Sequence, residues 1–478
     1  MKKKPTTTRS GSRGPSGGPL RVVILAAGVG SRMRSSLPKV LHRVAGRTLL
    51  EAVLDAAAPL SPARTVVVVG RDRERIAAAL EGRDVSWAVQ DPPLGTGDAV
   101  RSSREALGDG GPIVVLAGDT PLLKTETLGR LVAMQREQEL AVSFLTFRPP
   151  DPGEFGRVVR DRARRPIEII EARNCTERQR RIAEVNAGVY CFAPEALWRA
   201  LGKVARNPAS GEYYLTDSID LLARSGARIA ALTAEDWREA WGINTRRDLA
   251  AAEEIENRRG VERALDAGVT VLDPSTVRIG PRVIFAGDVV LHPFVCLEGQ
   301  TRIGPGCEVF PFTRLTDTRM EEGSAIGPHC ESEGATVGPR ARVGPYSRLR
   351  PGTVLEEDVR VGNFVETKNT VLRRGVKALH LAYLGDAEIG ANANIGAGVI
   401  TCNYDGEKKH RTLVGEGAFV GTDSQLVAPV TVGRGAYVAA GTTITEDVPE
   451  GALAISRAPQ VNKEGWVERR KAKKRESG

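Results

Sequence analysis

Gly28-Val29-Gly30 follows the apolar run Val22–Leu25 and is followed in turn by Arg32 and Lys39. Glycines in such a loop let backbone N–H groups approach phosphate oxygens, and the two cations supply the fixed positive charge that phosphoryl transfer needs. The spacing fits neither standard phosphate motif. The dinucleotide fingerprint needs a third glycine where Met33 stands, and the Walker loop needs Gly-Lys-Ser/Thr. The residues alone leave two readings open, a phosphate-binding loop and an ordinary strand-to-helix turn. A second candidate chemistry lies near the other end. Of the five histidines, His380 lies in the segment Lys377–Asp386. An imidazole titrates near neutrality and suits a general base, although a lone histidine is more often structural. Arg350 and Lys368 have the charge to hold a sugar phosphate, or are simply solvated.

The elements that must position these residues differ between the two halves. Residues 20–247 alternate strand and helix signals. Arg21–Leu25, Thr65–Val69 and Ile113–Leu116 read as strands, and Arg47–Ala58 and Arg73–Leu80 as helices. That is the α/β pattern of a mostly parallel sheet, which binds ligands beyond the carboxyl ends of its strands. Arg246–Arg263 reads as a connecting helix.

From Val277 onward an aliphatic residue recurs every six positions. Val277, Val283 and Val289 begin the pattern, followed by Ile303, Val309 and Leu315. Val337, Val343, Leu349, Leu355 and Val361 continue it, and Val414, Val420, Leu426, Val432, Val438 and Ile444 complete it. This period is not helical and not that of a hairpin sheet. It predicts a parallel β-helix whose short strands each place one side chain inward. The phase breaks between Val361 and Ile389 and again between Thr401 and Val414, which predicts loops ejected from the coil, where a solenoid carries chemistry.

The formal net charge of +9 divides into +5 from residues 1–19 and +4 from residues 463–478, leaving a neutral body. These ends read as solvated, disordered basic tails, and only Trp466 interleaves their charges, which argues against a nucleic-acid scaffold. No apolar run precedes Val22, so no secretory signal is expected, and no stretch is apolar enough to span a membrane. The six scattered cysteines lack metal spacing and read as reduced thiols of a cytoplasmic protein. The domains are therefore expected at 1–19 (tail), 20–247 (α/β domain), 248–267 (helical linker), 268–462 (β-helix) and 463–478 (tail).

Taken in order, the motifs resemble those of sugar-phosphate nucleotidyltransferases. Leu25-Ala26-Ala27-Gly28 through Pro38-Lys39 resembles the signature loop. Gln90 and Leu94-Gly95-Thr96-Gly97 resemble the base-reading segment, and Ala117-Gly118-Asp119 the metal-binding turn. Gly156, Glu171, Asn186-Ala187-Gly188, Gly211–Asp217 and Gly242-Ile243-Asn244 complete the match. With His380-Leu381-Ala382-Tyr383-Leu384-Gly385-Asp386 and Cys402-Asn403-Tyr404-Asp405-Gly406, the chain from Val22 to Trp466 resembles bifunctional N-acetylglucosamine-1-phosphate uridylyltransferases/glucosamine-1-phosphate acetyltransferases.

The resemblance implies a Rossmann-like nucleotidyltransferase domain followed by a left-handed parallel β-helix of hexapeptide repeats, assembled as a homotrimer. It implies synthesis of UDP-N-acetylglucosamine, a cell-envelope precursor, from glucosamine-1-phosphate, acetyl-CoA and UTP. Arg32 and Lys39 would act on the triphosphate, and Asp119 and Asn244 would hold Mg²⁺. Leu25, Ala26, Ala27, Gly28, Gln90, Gly95, Thr96, Ala117, Gly118, Gly156, Glu171 and Asn186 would bind the uridine nucleotide and its sugar. His380 becomes the acetyl-transfer base, and Arg350, Lys368, Tyr383 and Asn394 take the glucosamine phosphate. Asn403 and Tyr404 line that pocket too and, with Ala397, Thr422, Ala440 and Arg457, meet acetyl-CoA. Ala117, Ala187, Trp241, Leu379, Ala382 and Thr422 depart from the commonest family residues, and the first two bear on sugar choice. A β-helix serving only as an oligomerising scaffold is the alternative that these motifs argue against.

Overall fold

The computed structural model describes residues 17–28 and 30–476 and divides into two compact units, residues 1–256 and 257–478. Of the basic tail expected over residues 1–19, residues 1–16 lie outside the described residues. Gly18 and Pro19 are tied to the first unit: the Gly111 N–H donates to the Pro19 carbonyl at 3.2 Å, and Arg136 to that of Gly18 at 3.2 Å.

The first unit is built on a sheet whose strand order is Ile229–Thr233, Val142–Phe147, Val185–Phe192, Ile113–Ala117, Arg21–Leu25, Arg64–Val69, Ser86–Val89. Arg21–Leu25 lies inside the sheet, parallel to both neighbours, with Val23 opposite Val66 and Val115. Val22, Val23, Ile24 and Val66–Val69 are fully buried, as expected of a parallel strand covered on both faces. Only Val185–Phe192 runs antiparallel to its neighbours on this path. The helix expected over Arg47–Ala58 is shorter, at Leu49–Ala57. Thr48 caps it, accepting from the Glu51 N–H while the Glu51 carboxylate accepts from the Thr48 N–H, so Arg47–Thr48 is left as a short strand.

The second unit is the β-helix. Its strands form three parallel sheets of eleven, ten and nine strands, each strand pairing with the one a coil later. Coils are 18 residues long where Arg278 pairs with Cys296, and 17 where Glu331 pairs with Arg348. The inward side chains form one column from Val277 to Val448, and Val261 and Ala264 of the preceding helix pack in the same cluster. At one corner, Phe294, Phe312, His329, Tyr346 and Phe364 take positive φ in successive coils, and their rings stack with centroids 4.8–5.5 Å apart. Leu381 continues that corner at φ 44°.

The phase break expected between Val361 and Ile389 is not an ejected loop. Thr367, Leu372, Ala378, Leu384 and Ile389 all point inward, buried, and their strands pair in regular coils. The pattern faltered because Thr367 and Ala378 replace larger aliphatics and because one side of each short coil has lost a residue. Among the described residues, the segment around Asn403–Arg411 leaves the coil: the next rung pairs Ala387 with Thr412. Trp466–Glu476, expected without structure, is an exposed helix, in keeping with its Glu, Lys, Arg and Ala content. Among the described residues no helix is long and apolar enough to cross a membrane.

Candidate active sites

A cavity of ≈520 Å³ opens beyond the carboxyl ends of the central strands. Leu25, Ala26, Ala27, Gly28, Lys39, Gln90, Gly95, Thr96, Ala117, Asp119 and Glu171 line it. Gly30 shows why the loop is glycine-rich. Its φ is +62°, and a Cβ there would lie 2.5 Å from the Lys39 Cβ. The loop therefore folds down onto Lys39, and the Lys39 ammonium contacts the Asp119 carboxylate and donates to Asn244 Oδ1 at 2.8 Å. Arg32 donates to the same oxygen at 3.0 Å.

The orientation of each partner has a cause. Asn244 Nδ2 donates to the Gly242 carbonyl at 3.2 Å and the Asn244 N–H to Asp248, which turns Oδ1 toward the cations. Asp119 follows strand Ile113–Ala117 directly, and its carbonyl accepts from the Ile243 N–H at 2.8 Å, joining the two turns. It is not a helix cap: the next helix begins at Thr125.

The base-reading segment is held just as firmly. Gly95, at φ +99°, approaches the Tyr213 carbonyl so closely that a Cβ would lie 2.7 Å from it. The Gly97 N–H donates to that carbonyl, and the Leu215 N–H to the Thr96 hydroxyl. Gln90 is buried, with Nε2 donating to the Gly95 carbonyl and to Asp98, both at 2.9 Å, leaving Oε1 as an acceptor. Glu171 accepts from the Thr216 hydroxyl at 2.9 Å. Burial, with Glu171 beside it, pushes the Asp217 carboxyl up to about 6.

Arg32, Gly118, Gly156, Asn186 and Asn244 are not in the cavity wall. Asn186 and Gly156 are joined by a 2.9 Å backbone hydrogen bond, and Gly118 by one to Leu25, also 2.9 Å. Ala187 is buried outside the wall, and Trp241 packs on Trp237 at 5.7 Å. Sequence reasoning missed Arg173, which lines the cavity bonded to Tyr214 and, at 3.0 Å, to Glu212. Its place two residues after Glu171 was the available signal.

In the second unit the acetyl-transfer residues fall into a column. Asn363 and His380 pair directly in adjacent coils, and Lys377 pairs with Asn394, Asn394 with Phe419, and Phe419 with Tyr437. Counting three residues on from these partners aligns His380, Ala397, Thr422 and Ala440. Corner hydrogen bonds follow the same line: Gly398 N–H to Leu381, Asp423 N–H to Ala397 and Gly441 N–H to Thr422, at 2.7–2.8 Å. Arg457 reaches back to the Ala440 carbonyl. On the neighbouring sheet, Arg350 pairs with Glu366 at 2.8 Å, and Glu366 stands in register with Tyr383. Lys368 lies beside Lys409 of the ejected loop, whose ammonium holds it below the ordinary lysine value, Arg350 adding to the effect. Such crowded cations favour an anion between them. Asn403 donates to Asp386, which also accepts from Asn369 at 2.6 Å, so the root of the loop is pinned. Tyr404 is exposed at the loop and bonds only within it. Lys409 and Asn363 were missed, although each lies in a segment the motifs flagged.

A parallel-sheet nucleotide cradle followed by a hexapeptide β-helix defines a two-site transferase. The sequence profile of the MobA-like NTP transferase domain matches residues 22–207. The bifunctional protein GlmU of Streptomyces coelicolor is 48% identical over 458 residues, covering 95% of each chain. That of Pelobacter propionicus is 45% identical over 453 residues, covering 94% of this chain and 98% of its own. That of Ralstonia nicotianae is 46% identical over 456 residues, covering 95% of this chain and 100% of its own. The chain belongs to the family of the bifunctional protein GlmU. It is a bifunctional enzyme of UDP-N-acetylglucosamine synthesis, a uridylyltransferase and an acetyltransferase acting on small molecules.

Proposed function

We propose that the cradle joins UTP to N-acetylglucosamine-1-phosphate, releasing pyrophosphate, and that the β-helix column first makes that sugar phosphate from glucosamine-1-phosphate and acetyl-CoA. The observation that carries the reading is the meeting of Lys39, Asp119 and Asn244, from three distant turns, beside a cavity lined by the base-reading segment. Lys39 and Arg32 face the charge that develops as the sugar phosphate attacks the α-phosphorus in line. Gln90 Oε1, its amide nitrogen already committed, accepts the imide N–H of uracil, which cytosine lacks. Glu171, Asn186 and Gly156 take the sugar side.

Asp119 and Asn244 supply two hard oxygens that converge on one cation, the Lys39 ammonium. This donor set suits Mg²⁺, which binds through few protein ligands and keeps water and phosphate oxygens. Bound there, the ion would offset negative charge on the triphosphate. Asp119→Asn then raises the Mg²⁺ concentration needed for half-maximal uridylyl transfer by about 10-fold or more, with partial recovery at high Mg²⁺. A metal titration checks this, and an unchanged midpoint would remove Asp119 from the ligand set.

At the second site, His380 takes the proton from the attacking amine as the N–C bond forms, the acetyl C–S bond breaks, and the protonated ring returns the proton to the departing sulfur so that coenzyme A leaves as its thiol. Arg350, Lys368 and Lys409 hold the phosphate, and Tyr383 and Asn394 the sugar, with Asn403 and Tyr404 at its rim. Ala397, Thr422, Ala440 and Arg457 follow acetyl-CoA along the column. The working assembly is a homotrimer, a reading that rests on the resemblance and on the exposed aromatic corner available to a second copy. A monomer mass by sedimentation of the active enzyme would overturn it. A cytoplasmic setting is consistent with six free cysteines.

A further inference from the structure

We infer that Asn363 is the positioning residue that sets the tautomer of His380, an inference that rests on His380 being the acetyl-transfer base. Asn363 ends the strand one coil before His380 and pairs with it in register. Its side-chain Oδ1 lies 2.9 Å from His380 Nδ1, and its backbone carbonyl accepts the Leu381 N–H at 3.0 Å. One residue thus fixes both the ring and the chain directly after it. An amide oxygen can only accept a hydrogen bond, so Nδ1 must carry the proton. In a neutral imidazole that leaves the lone pair on Nε2, the far side of the ring, free to take the amine proton.

An aspartate in this place would set the same tautomer, as the carboxylate of a hydrolytic triad does, but would add a negative charge beside the ring. Asparagine orients the ring without that charge. The corner also explains why position 363 can do this. Phe364 and Leu381 both turn the chain at positive φ, 59° and 44°, so the residue before each ends its strand at the same height of the coil. The residue that holds the base is thus supplied by coil length, one turn of 17 residues away.

The test uses the full-length enzyme and follows each half-reaction. Asn363→Leu, which fills the space but accepts nothing, lowers kcat for acetyl transfer by about 10- to 100-fold, a share of what a positioned base contributes. It leaves KM for glucosamine-1-phosphate within about 2-fold, and uridylyl transfer unchanged, because the bond acts on the base and not on substrate binding. Asn363→Asp, which restores the acceptor, recovers most of that loss above neutral pH. In protein labelled with ¹⁵N-histidine, the His380 ring shows its proton on Nδ1 in the wild type and in Asn363→Asp, and loses that preference in Asn363→Leu. Wild-type kcat in Asn363→Leu, or an Nε2-protonated ring in the wild type, would overturn the inference. If His380→Ala itself keeps acetyl transfer, the base assignment fails first. If His380→Ala is inactive and Asn363→Leu is not, only the role of Asn363 fails.

Discussion

His380→Ala removes acetyl transfer down to about 10⁻² to 10⁻⁴ of the wild-type rate, while uridylyl transfer from supplied N-acetylglucosamine-1-phosphate continues. That loss corresponds to about 3–5 kcal/mol of the barrier. The ring is exposed at the end of a strand and packs into no core, so its removal costs the coil little. The asparagines in register around it offer no substitute: Asn363 and Asn394 are amides. Both half-reactions measured on the one variant decide the matter. Retained acetylation would place the base elsewhere, and joint loss of both reactions would show a folding defect.

The converse variant is Lys39→Ala. Uridylyl transfer falls by on the order of 10³-fold and acetyl transfer is unaffected. Lys39 is 12% exposed and donates into both the Asp119 carboxylate and Asn244 Oδ1. Its removal takes away the charge that faces the triphosphate and leaves a carboxylate unpaired where an anion must bind. The second effect separates this residue from an ordinary surface lysine, whose loss is worth well under about 1 kcal/mol. A pyrophosphate-release assay with saturating UTP measures it. Activity within about 5-fold of wild type would show that the loop is only a strand-to-helix turn.

What was legible in the sequence follows from how local each signal is. The loop Leu25–Lys39 and the turns at Gly118 and Asn244 are each written within a few residues, but their meeting is not: Lys39 and Asp119 are 80 residues apart and Lys39 and Asn244 are 205. The hexad ladder was legible wherever the inward residue is a large aliphatic. It failed at Thr367 because a buried hydroxyl can replace a methyl when it finds a partner, here Thr353 at 3.0 Å. The same substitution at Ser332, facing Thr318 at 2.9 Å, interrupts the ladder earlier. Reading those gaps as ejected loops put His380 on a loop, when it ends a regular strand. Once coil length is known, the column from Asn363 to Ala440 is arithmetic. From composition and period alone, a 17-residue spacing between two polar side chains carries no signal.

The helix Arg246–Asp266 bears on how such an enzyme can be divided or inherited. Its Ala252 is buried with Val44, Leu49, Leu122 and Ile243, and Glu253 accepts from the Ala45 N–H at 2.7 Å. A turn later Asn257 bonds the Val277 carbonyl and the Ile279 N–H, each at 3.0 Å, and Val261 and Ala264 join the aliphatic column. One uninterrupted stretch is thus structural material for both units. A cut between residues 256 and 257 would leave each of these sets of contacts with its own product and would break only the continuity of the helix. Separate genes for the two activities would each carry the half of the segment that their own product packs, and a shuffled hybrid would have to rejoin the two halves as one helix. The segment that joins the two activities in one chain is thus also the place where they could be parted.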